Sequence, residues 1–211
     1  MVGAPSAALP PPNVEILRAN TQMYRNHDTA YGPASFNPSM GNPTRFAPIK
    51  NKQGTCVPSL YGATSPEAAA FETVFHDVFP GLLGKAPVPL RSLHGRSEST
   101  LVLQRDLKIA RLQAPDLLLW GLHPADLTSA PSRDYDLTAR WVEAIHQQFV
   151  DVDGLVWTSN KCDPDRCFVF FGDRVAEADF KYTAQLDLGI AGPARERVQK
   201  AARRSGIVFG L

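Results

Sequence analysis

This chain lacks an excess of charge of either sign, because its 22 Lys and Arg residues are nearly balanced by 21 Asp and Glu residues. Surfaces that bind nucleic acid or anionic membranes normally carry a basic excess. We therefore predict neither nucleic acid nor a membrane as a partner. The one basic cluster follows Pro193, which is placed to begin a helix that Gly206 would end, and we interpret its cations as a solvated face: Arg195, Arg197, Lys200, Arg203 and Arg204.

Cysteine is also scarce, with three residues in 211. An odd, small number is typical of a protein from a reducing compartment rather than of a disulfide scaffold. Four residues separate Cys162 from Cys167, a spacing compatible with half a zinc site. Cys56 is distant in sequence, so a turn flanked by two buried thiols is the favoured interpretation and no metal is expected. Whether Cys162 and Cys167 form a disulfide stays open.

Targeting segments and several catalytic motifs are missing too. Residues 1–5 have no basic residue and no apolar core, and no apolar run is long enough to span a bilayer, so we expect a cytoplasmic protein. There is no Gly-x-Gly-x-x-Gly, no Gly-x-Ser-x-Gly and no His-x-x-x-His pair. The segment 81–86, Gly-Leu-Leu-Gly-Lys-Ala, lacks the spacing and the final Ser or Thr of a P-loop.

What is present is an ordinary globular composition, 44% hydrophobic and 20% charged. It predicts one domain over residues 20–211, preceded by an extended or disordered leader over residues 1–19 that contains three consecutive prolines. Strand patterns alternate with two or three helices, which favours an α+β fold with a mixed or antiparallel sheet and flanking helices. The predicted strands are 21–25, 60–63, 100–112 (one or two strands), 155–158, 167–171 and 183–188, and the clearest helix is 132–149, with an apolar stripe of Leu137, Trp141, Ala144, Ile145 and Phe149. A long loop covers about 27–55.

A second helix is predicted from its start signals, Ser65 as N-cap and Pro66 at the first position, to about Phe79, before Pro80 and Gly81. On this helix Glu72 lies at the margin of the apolar arc. An ionised carboxylate next to a core costs several kcal/mol without partners. One interpretation is that Glu72 reaches solvent or pairs with an arginine. The other is that its carboxylate has a role in function.

The order of residues resembles the RES-domain family, named for an arginine, a glutamate and a serine. The resemblance covers roughly residues 20–190. Arg25 follows Met23-Tyr24, Asn37-Pro38 and Thr44-Arg45-Phe46 follow in the loop, Leu60-Tyr61 leads into the helix with Glu72, and Asp153-Gly154 leads to Ser159. The resemblance implies a toxin of a bacterial toxin–antitoxin pair that consumes NAD+, with a fold like the ADP-ribosyltransferase toxins.

The resemblance also assigns roles. Nicotinamide leaves NAD+ as a neutral molecule and needs no general acid, so one carboxylate beside the ribose, Glu72, would stabilise the developing cation. Arg25 and Arg45 would hold phosphate groups, either of NAD+ or of inorganic phosphate acting as acceptor. Tyr61 would stack on nicotinamide or donate to the ribose, and Ser159 would hydrogen-bond the substrate.

Three alternatives stay open. The first is transfer of ADP-ribose to a protein, which would use nearly the same residues. The second is a non-catalytic protein that binds an antitoxin-like partner through the leader and the basic C-terminal helix. The third is a zinc module built on Cys162 and Cys167. The sequence leaves open the acceptor (phosphate, water or protein), the partner, and whether the protein is a monomer, a homodimer or part of a toxin–antitoxin complex.

Overall fold

The computed structural model describes residues 3–39, 43–78 and 85–210. In these ranges the helices are α1 (Pro66–Phe71), α2 (Ala114–Leu117), α3 (Tyr135–Gln148) and α4 (Pro193–Arg204). The strands are β1 (Val14–Leu17), β2 (Gln22–Asp28), β3 (Ile49–Lys50), β4 (Cys56–Val57), β5 (Ser59–Ala63), β6 (Ala86–Pro89), β7 (Arg96–Leu103), β8 (Leu107–Arg111), β9 (Gly154–Thr158), β10 (Arg166–Phe171), β11 (Phe180–Asp187) and β12 (Ile207–Gly210).

One mixed sheet of eight strands organises the fold, in the order β1-β8-β9-β10-β5-β2-β7-β11. Strands β8 and β9 are parallel, and the other neighbouring pairs in this sheet are antiparallel. The central strand β10 is buried on both faces, since Phe168 to Phe171 are each 1% exposed or less. This explains why it reads as an uninterrupted apolar run. The predicted α+β class is confirmed.

The two faces of the sheet pack against different sets of side chains, because successive residues of a strand point to opposite faces. On β2, Met23 belongs to a core cluster with Leu60 and Phe168. Its neighbour Tyr24 packs on the other face, against the cluster that holds the helices. This second face carries the candidate site, and we call it the helix face.

Strands β2 and β5 are paired only briefly, through Tyr24 and Ala63. At the other end of β5, Ser59 pairs instead with Asn37, which follows β2 in the chain. The segment predicted as the loop 27–55 therefore contains the end of β2, this bridge and β3, and residues 40–42 lie outside the described residues.

Helix α1 is shorter than predicted, and the expected end at about Phe79 was wrong. It ends at Phe71, and Glu72 is its C-cap rather than an interior residue. Beyond it the chain turns. The Nζ of Lys161 donates hydrogen bonds to the carbonyl oxygens of Phe75 (2.9 Å) and Val78 (3.1 Å), so these carbonyls are satisfied without a continuing helix. The predicted stop at 79–81 lies outside the described residues.

Helix α3 begins at Tyr135, after one short 3-10 turn, and its buried face is rotated from the predicted stripe. Tyr135, Thr138 and Val142 are buried, whereas Leu137 is only partly so. A polar residue, Thr138, therefore lies fully buried in the face that the sequence pattern assigned to apolar residues. This face is the one that meets the candidate site.

The N-terminal segment is attached to the domain at several points. Trp141 Nε1 donates to the carbonyl of Gly3 at 3.0 Å, and Trp120 Nε1 donates to that of Pro10 at 2.9 Å. Within the predicted leader, Val14–Leu17 forms the edge strand β1, paired with β8. At the other end of the chain, Arg197 of the predicted solvated cluster pairs with the buried Glu98 of β7 instead of facing only water.

Candidate active site

Glu72 lies at the C-terminal end of α1, and each of its carboxylate oxygens contacts another side chain. Ser65 caps the helix by accepting from the backbone N–H of Ala68 at 3.0 Å, as the sequence predicts. At the other end, the Oε1 of Glu72 accepts from Ser159 Oγ at 2.8 Å, and Oε2 lies 3.5 Å from a terminal nitrogen of Arg45. The side chain of Glu72 is 17% exposed. It therefore borders the core with two partners.

Ser159 reaches Glu72 because the turn after β9 is fastened to the start of α1. The carboxylate of Asp165 accepts from Thr64 Oγ1 at 2.9 Å and from Ser65 Oγ at 2.7 Å. The backbone N–H of Ser159 donates to the carbonyl of Asp165 at 2.8 Å. Asp165 thus fixes the distance between the serine and the helix that carries the glutamate. The two cysteines on either side mark this turn in the sequence, but no local pattern predicts that Asp165 connects it to α1.

Arg45 lies in a tight turn closed by the backbone hydrogen bond from Thr44 to Ala47 (2.8 Å). The next residue, Phe46, is 1% exposed and packs edge-on against Trp157, with ring centroids 4.9 Å apart, so the turn is anchored in the core. The side chain of Arg45 is 11% exposed. Its Nε is buried without a hydrogen-bond partner within the described residues. This guanidinium therefore retains donor capacity for an anionic ligand.

Tyr61 lies on β5 at the edge of the same site. Its hydroxyl is 2.9 Å from Thr44 Oγ1, in the turn that carries Arg45, and its ring is 6.3 Å from that of Trp157. Burial raises the pKa of Tyr61 to about 12, against the opposing effects of the Thr44 hydrogen bond and the Arg45 charge. The phenol is thus neutral at physiological pH, as a hydrogen-bond donor must be.

The structure does not bring the side chain of Arg25 to Glu72, unlike that of Arg45. Arg25 has the same parity on β2 as Met23, so its side chain leaves the sheet on the face opposite the helix face. There it donates to the carbonyls of Pro33 (3.1 Å) and Ser35 (2.9 Å). Burial lowers the pKa of Arg25 to about 10, so it stays charged at neutral pH. These two hydrogen bonds attach the loop that follows β2 to the sheet.

Two residues that the sequence analysis did not single out complete the surroundings. The ring of Tyr135, the first residue of α3, lies 5.7 Å from the guanidinium carbon of Arg45. The Tyr135 hydroxyl is 2.8 Å from Nε2 of His76, in the turn after α1. Neither has a local sequence signal, because the two residues are 59 positions apart.

The cysteines are free thiols, with Cys56 exposed and Cys162 and Cys167 buried. Among the residues that the structure describes, no group of three or more His, Cys, Asp and Glu side chains is arranged to hold a metal ion. Within the same ranges, no helix combines the length and apolar character needed to cross a bilayer.

Comparison with known proteins agrees with this architecture. Residues 18–190 match the RES domain family. A chain in the crystal structure of the M. tuberculosis MbcT–MbcA toxin–antitoxin complex has a similar fold, with a TM-score of 0.61 and 14% sequence identity, over 89% of this chain and 92% of that chain. No curated protein matches. Since the family match spans most of the sequence and includes Arg45, Glu72 and Ser159, the chain belongs to the RES domain family.

Proposed function

We propose that this protein is the NAD+-consuming toxin of a bacterial toxin–antitoxin pair, and that it cleaves the bond between nicotinamide and ribose with phosphate as the acceptor. The observation that carries the proposal is the carboxylate of Glu72 at the border of the core, whose Oε1 accepts from Ser159 at 2.8 Å and whose Oε2 lies 3.5 Å from Arg45. Membership of the RES domain family and the fold shared with a chain of a toxin–antitoxin complex support it.

Cleavage of the nicotinamide–ribose bond requires one fixed negative charge beside the ribose. As the C1′–N bond of NAD+ breaks, its electron pair passes to the nicotinamide nitrogen and positive charge develops on the ribose. A carboxylate that is already oriented stabilises this charge without reorganising, an effect of about 3 kcal/mol in comparable electrostatic sites. A phosphate oxygen then forms the new bond to C1′. Glu72 takes the electrostatic role, and Ser159 orients it.

Arg45 is the residue proposed for the anionic parts of the reactants. Its single long contact with Glu72, 3.5 Å, is weaker than a bidentate arginine–carboxylate pair, and its Nε is unpartnered within the described residues. A phosphate of NAD+ or the attacking phosphate would meet these donors. Arg25 is assigned an indirect role through the loop at Pro33 and Ser35, because it leaves the sheet on the other face.

Nicotinamide release tests the proposal directly. Purified protein is incubated with NAD+ with and without inorganic phosphate, beside the Glu72→Gln variant. Replacing the carboxylate by its neutral isostere is expected to lower the rate by roughly 10²–10³-fold. Glu67→Gln is the matched control, since Glu67 lies on the same helix and pairs with Arg204 on the surface. Equal rates for Glu72→Gln and wild type would refute the role of Glu72.

The acceptor is identified from the products. Mass spectrometry is expected to show phosphorylated ADP-ribose when phosphate is present. ADP-ribose attached to a protein would instead indicate a transferase. A non-catalytic binding protein would release no nicotinamide at all. In cells, growth arrest by the wild type but not by Glu72→Gln, relieved by a co-expressed antitoxin-like partner, is the result expected of a toxin.

A further inference from the structure

A chain of three polar side chains lies beside the Arg45–Glu72 pair. The Tyr135 hydroxyl is 2.8 Å from Nε2 of His76, and Nδ1 of His76 is 2.7 Å from the Oδ1 of Asp77. Tyr135 begins α3, while His76 and Asp77 belong to the turn that follows Glu72. The two elements that meet at the site are thus joined through this chain.

The proton positions in this chain follow from what each group can donate. An ionised carboxylate only accepts, so the contact with Asp77 places a proton on Nδ1 of His76. In a neutral imidazole the other nitrogen is then an acceptor, and the Tyr135 hydroxyl donates its only proton to it. The lone pairs of the hydroxyl are left for neighbouring donors, of which the guanidinium of Arg45 is one.

Arg45 is held by the first turn of α3 in two ways. Thr138 Oγ1 donates to the backbone carbonyl of Arg45, and the guanidinium carbon lies 5.7 Å from the Tyr135 ring centroid. Burial raises the pKa of Tyr135, and the nearby charge of Arg45 opposes that rise. The ring and its oxygen therefore face a cation on one side and His76 on the other.

This arrangement has a consequence for Glu72. A mobile guanidinium beside a partly buried carboxylate tends to close into a bidentate pair with contacts of about 2.7–2.9 Å. In the structure, by contrast, a single contact of 3.5 Å joins Arg45 to Oε2 of Glu72. A carboxylate that is neutralised less completely stabilises a sugar cation better. The unpartnered Nε of Arg45 also stays available for an anion.

We propose that Tyr135 is a positioning residue that holds the Arg45 guanidinium back from Glu72, and that His76 fixes the Tyr135 hydroxyl in the orientation this requires. The inference rests on the proposed function, because it assigns Tyr135 and His76 an effect on the same reaction.

Kinetics of nicotinamide release provide the first test. Tyr135→Phe keeps the ring and removes the hydroxyl, and we expect kcat to fall about tenfold and KM for NAD+ to rise, with a melting temperature only about 2–4 °C lower. His76→Ala should do the same, whereas His76→Gln, whose carboxamide oxygen can replace Nε2 as acceptor, should retain most of the activity. Tyr182→Phe, on the exposed edge strand β11, is the matched control.

The double variant Tyr135→Phe/His76→Ala separates a shared role from two independent ones. If the two residues act as one unit, the double variant is no slower than either single variant. Multiplied losses would overturn the assignment of His76 to Tyr135. Wild-type kinetics in Tyr135→Phe would overturn the positioning role itself.

A second readout does not depend on catalysis. The Nε–Hε resonance of Arg45, assigned by its loss in Arg45→Lys, reports whether the guanidinium is held. It is expected to shift or broaden in Tyr135→Phe and His76→Ala and to stay in place in His76→Gln and Tyr182→Phe. An unchanged resonance in Tyr135→Phe refutes the positioning role. Absence of nicotinamide release by the wild type refutes the proposed function instead, so the two failures are distinguishable.

Discussion

The Oγ of Ser159 lies 2.8 Å from Oε1 of Glu72, although 87 positions separate the two residues in the sequence. The contact joins the end of β9 to the C-cap of α1, and Ser159 is 1% exposed. A buried hydroxyl whose proton points at a carboxylate fixes the rotamer of that carboxylate. The arrangement gives Glu72 a defined direction before any substrate binds, which is the condition for electrostatic stabilisation of a developing charge.

Ser159→Ala is therefore expected to slow nicotinamide release about tenfold, because the carboxylate of Glu72 loses the hydrogen bond from Ser159. This corresponds to an increase of about 1.4 kcal/mol in the activation free energy. Steady-state kinetics measure the change. Ser92→Ala is the control, since the buried Oγ of Ser92 makes no hydrogen bond within the described residues. An unchanged kcat in Ser159→Ala would show that the hydrogen bond does not orient Glu72 for the reaction.

Arg25→Ala is expected to act on stability rather than directly on the reaction. It removes charge-assisted hydrogen bonds to the carbonyls of Pro33 and Ser35, and a loss of about 2–3 kcal/mol in the free energy of unfolding follows. Urea denaturation measures it, with the exposed Arg203→Ala as control. Wild-type stability together with a large rise in KM for NAD+ would instead place Arg25 at the substrate.

The pH dependence of stability reports on Tyr61. Its pKa is raised from 10.0 to about 12 by burial, so the folded protein keeps a proton that the unfolded chain has lost. The stabilising contribution is complete below pH 10 and is lost as pH rises through 12, by about 2–3 kcal/mol. Urea denaturation across this range should show a flatter decline for Tyr61→Phe than for wild type. Tyr182→Phe, which changes an exposed ring, should decline as the wild type does.

Thiol labelling tests the state of the cysteines. Burial raises the pKa of Cys162 to about 12 and that of Cys167 well above its usual value, so neither forms the reactive thiolate at neutral pH. Iodoacetamide is expected to modify only the exposed Cys56 in the folded protein, and all three residues after denaturation. A mass lower by two hydrogen atoms, with labelling of Cys56 alone after denaturation, would reveal a disulfide between Cys162 and Cys167.

Local patterns in the sequence predicted much of the framework. The apolar run of β10 predicted a buried strand, and Ser65 with Pro66 predicted the start of α1, because these signals act within a few residues. The same holds for α4, which begins at Pro193 and ends before Gly206, a residue with φ of +68°. Helix starts, helix ends and buried strands are properties of neighbouring residues.

The end of α1 did not follow from such signals. The apolar spacing of Phe71, Phe75 and Val78 suits a longer helix, and the turn is stabilised instead by Lys161, which lies 86 positions from Phe75 and 83 from Val78 in the sequence. The face of α3 was misjudged for a related reason. Thr138 is buried because its hydroxyl meets the carbonyl of Arg45, a partner 93 positions away, and hydrophobicity alone does not predict a buried threonine.

The sequence by itself predicted the fold class, the family and four residues that the structure brings together at the candidate site, Arg45, Tyr61, Glu72 and Ser159. Strand parity and pairing, which depend on the whole sheet, decided that Arg25 faces away from them. Tertiary contacts also decided that Tyr135 and His76 join Arg45. Periodicity carries information about one element at a time, whereas hydrogen bonds between distant segments form only when the complete core has brought those segments together.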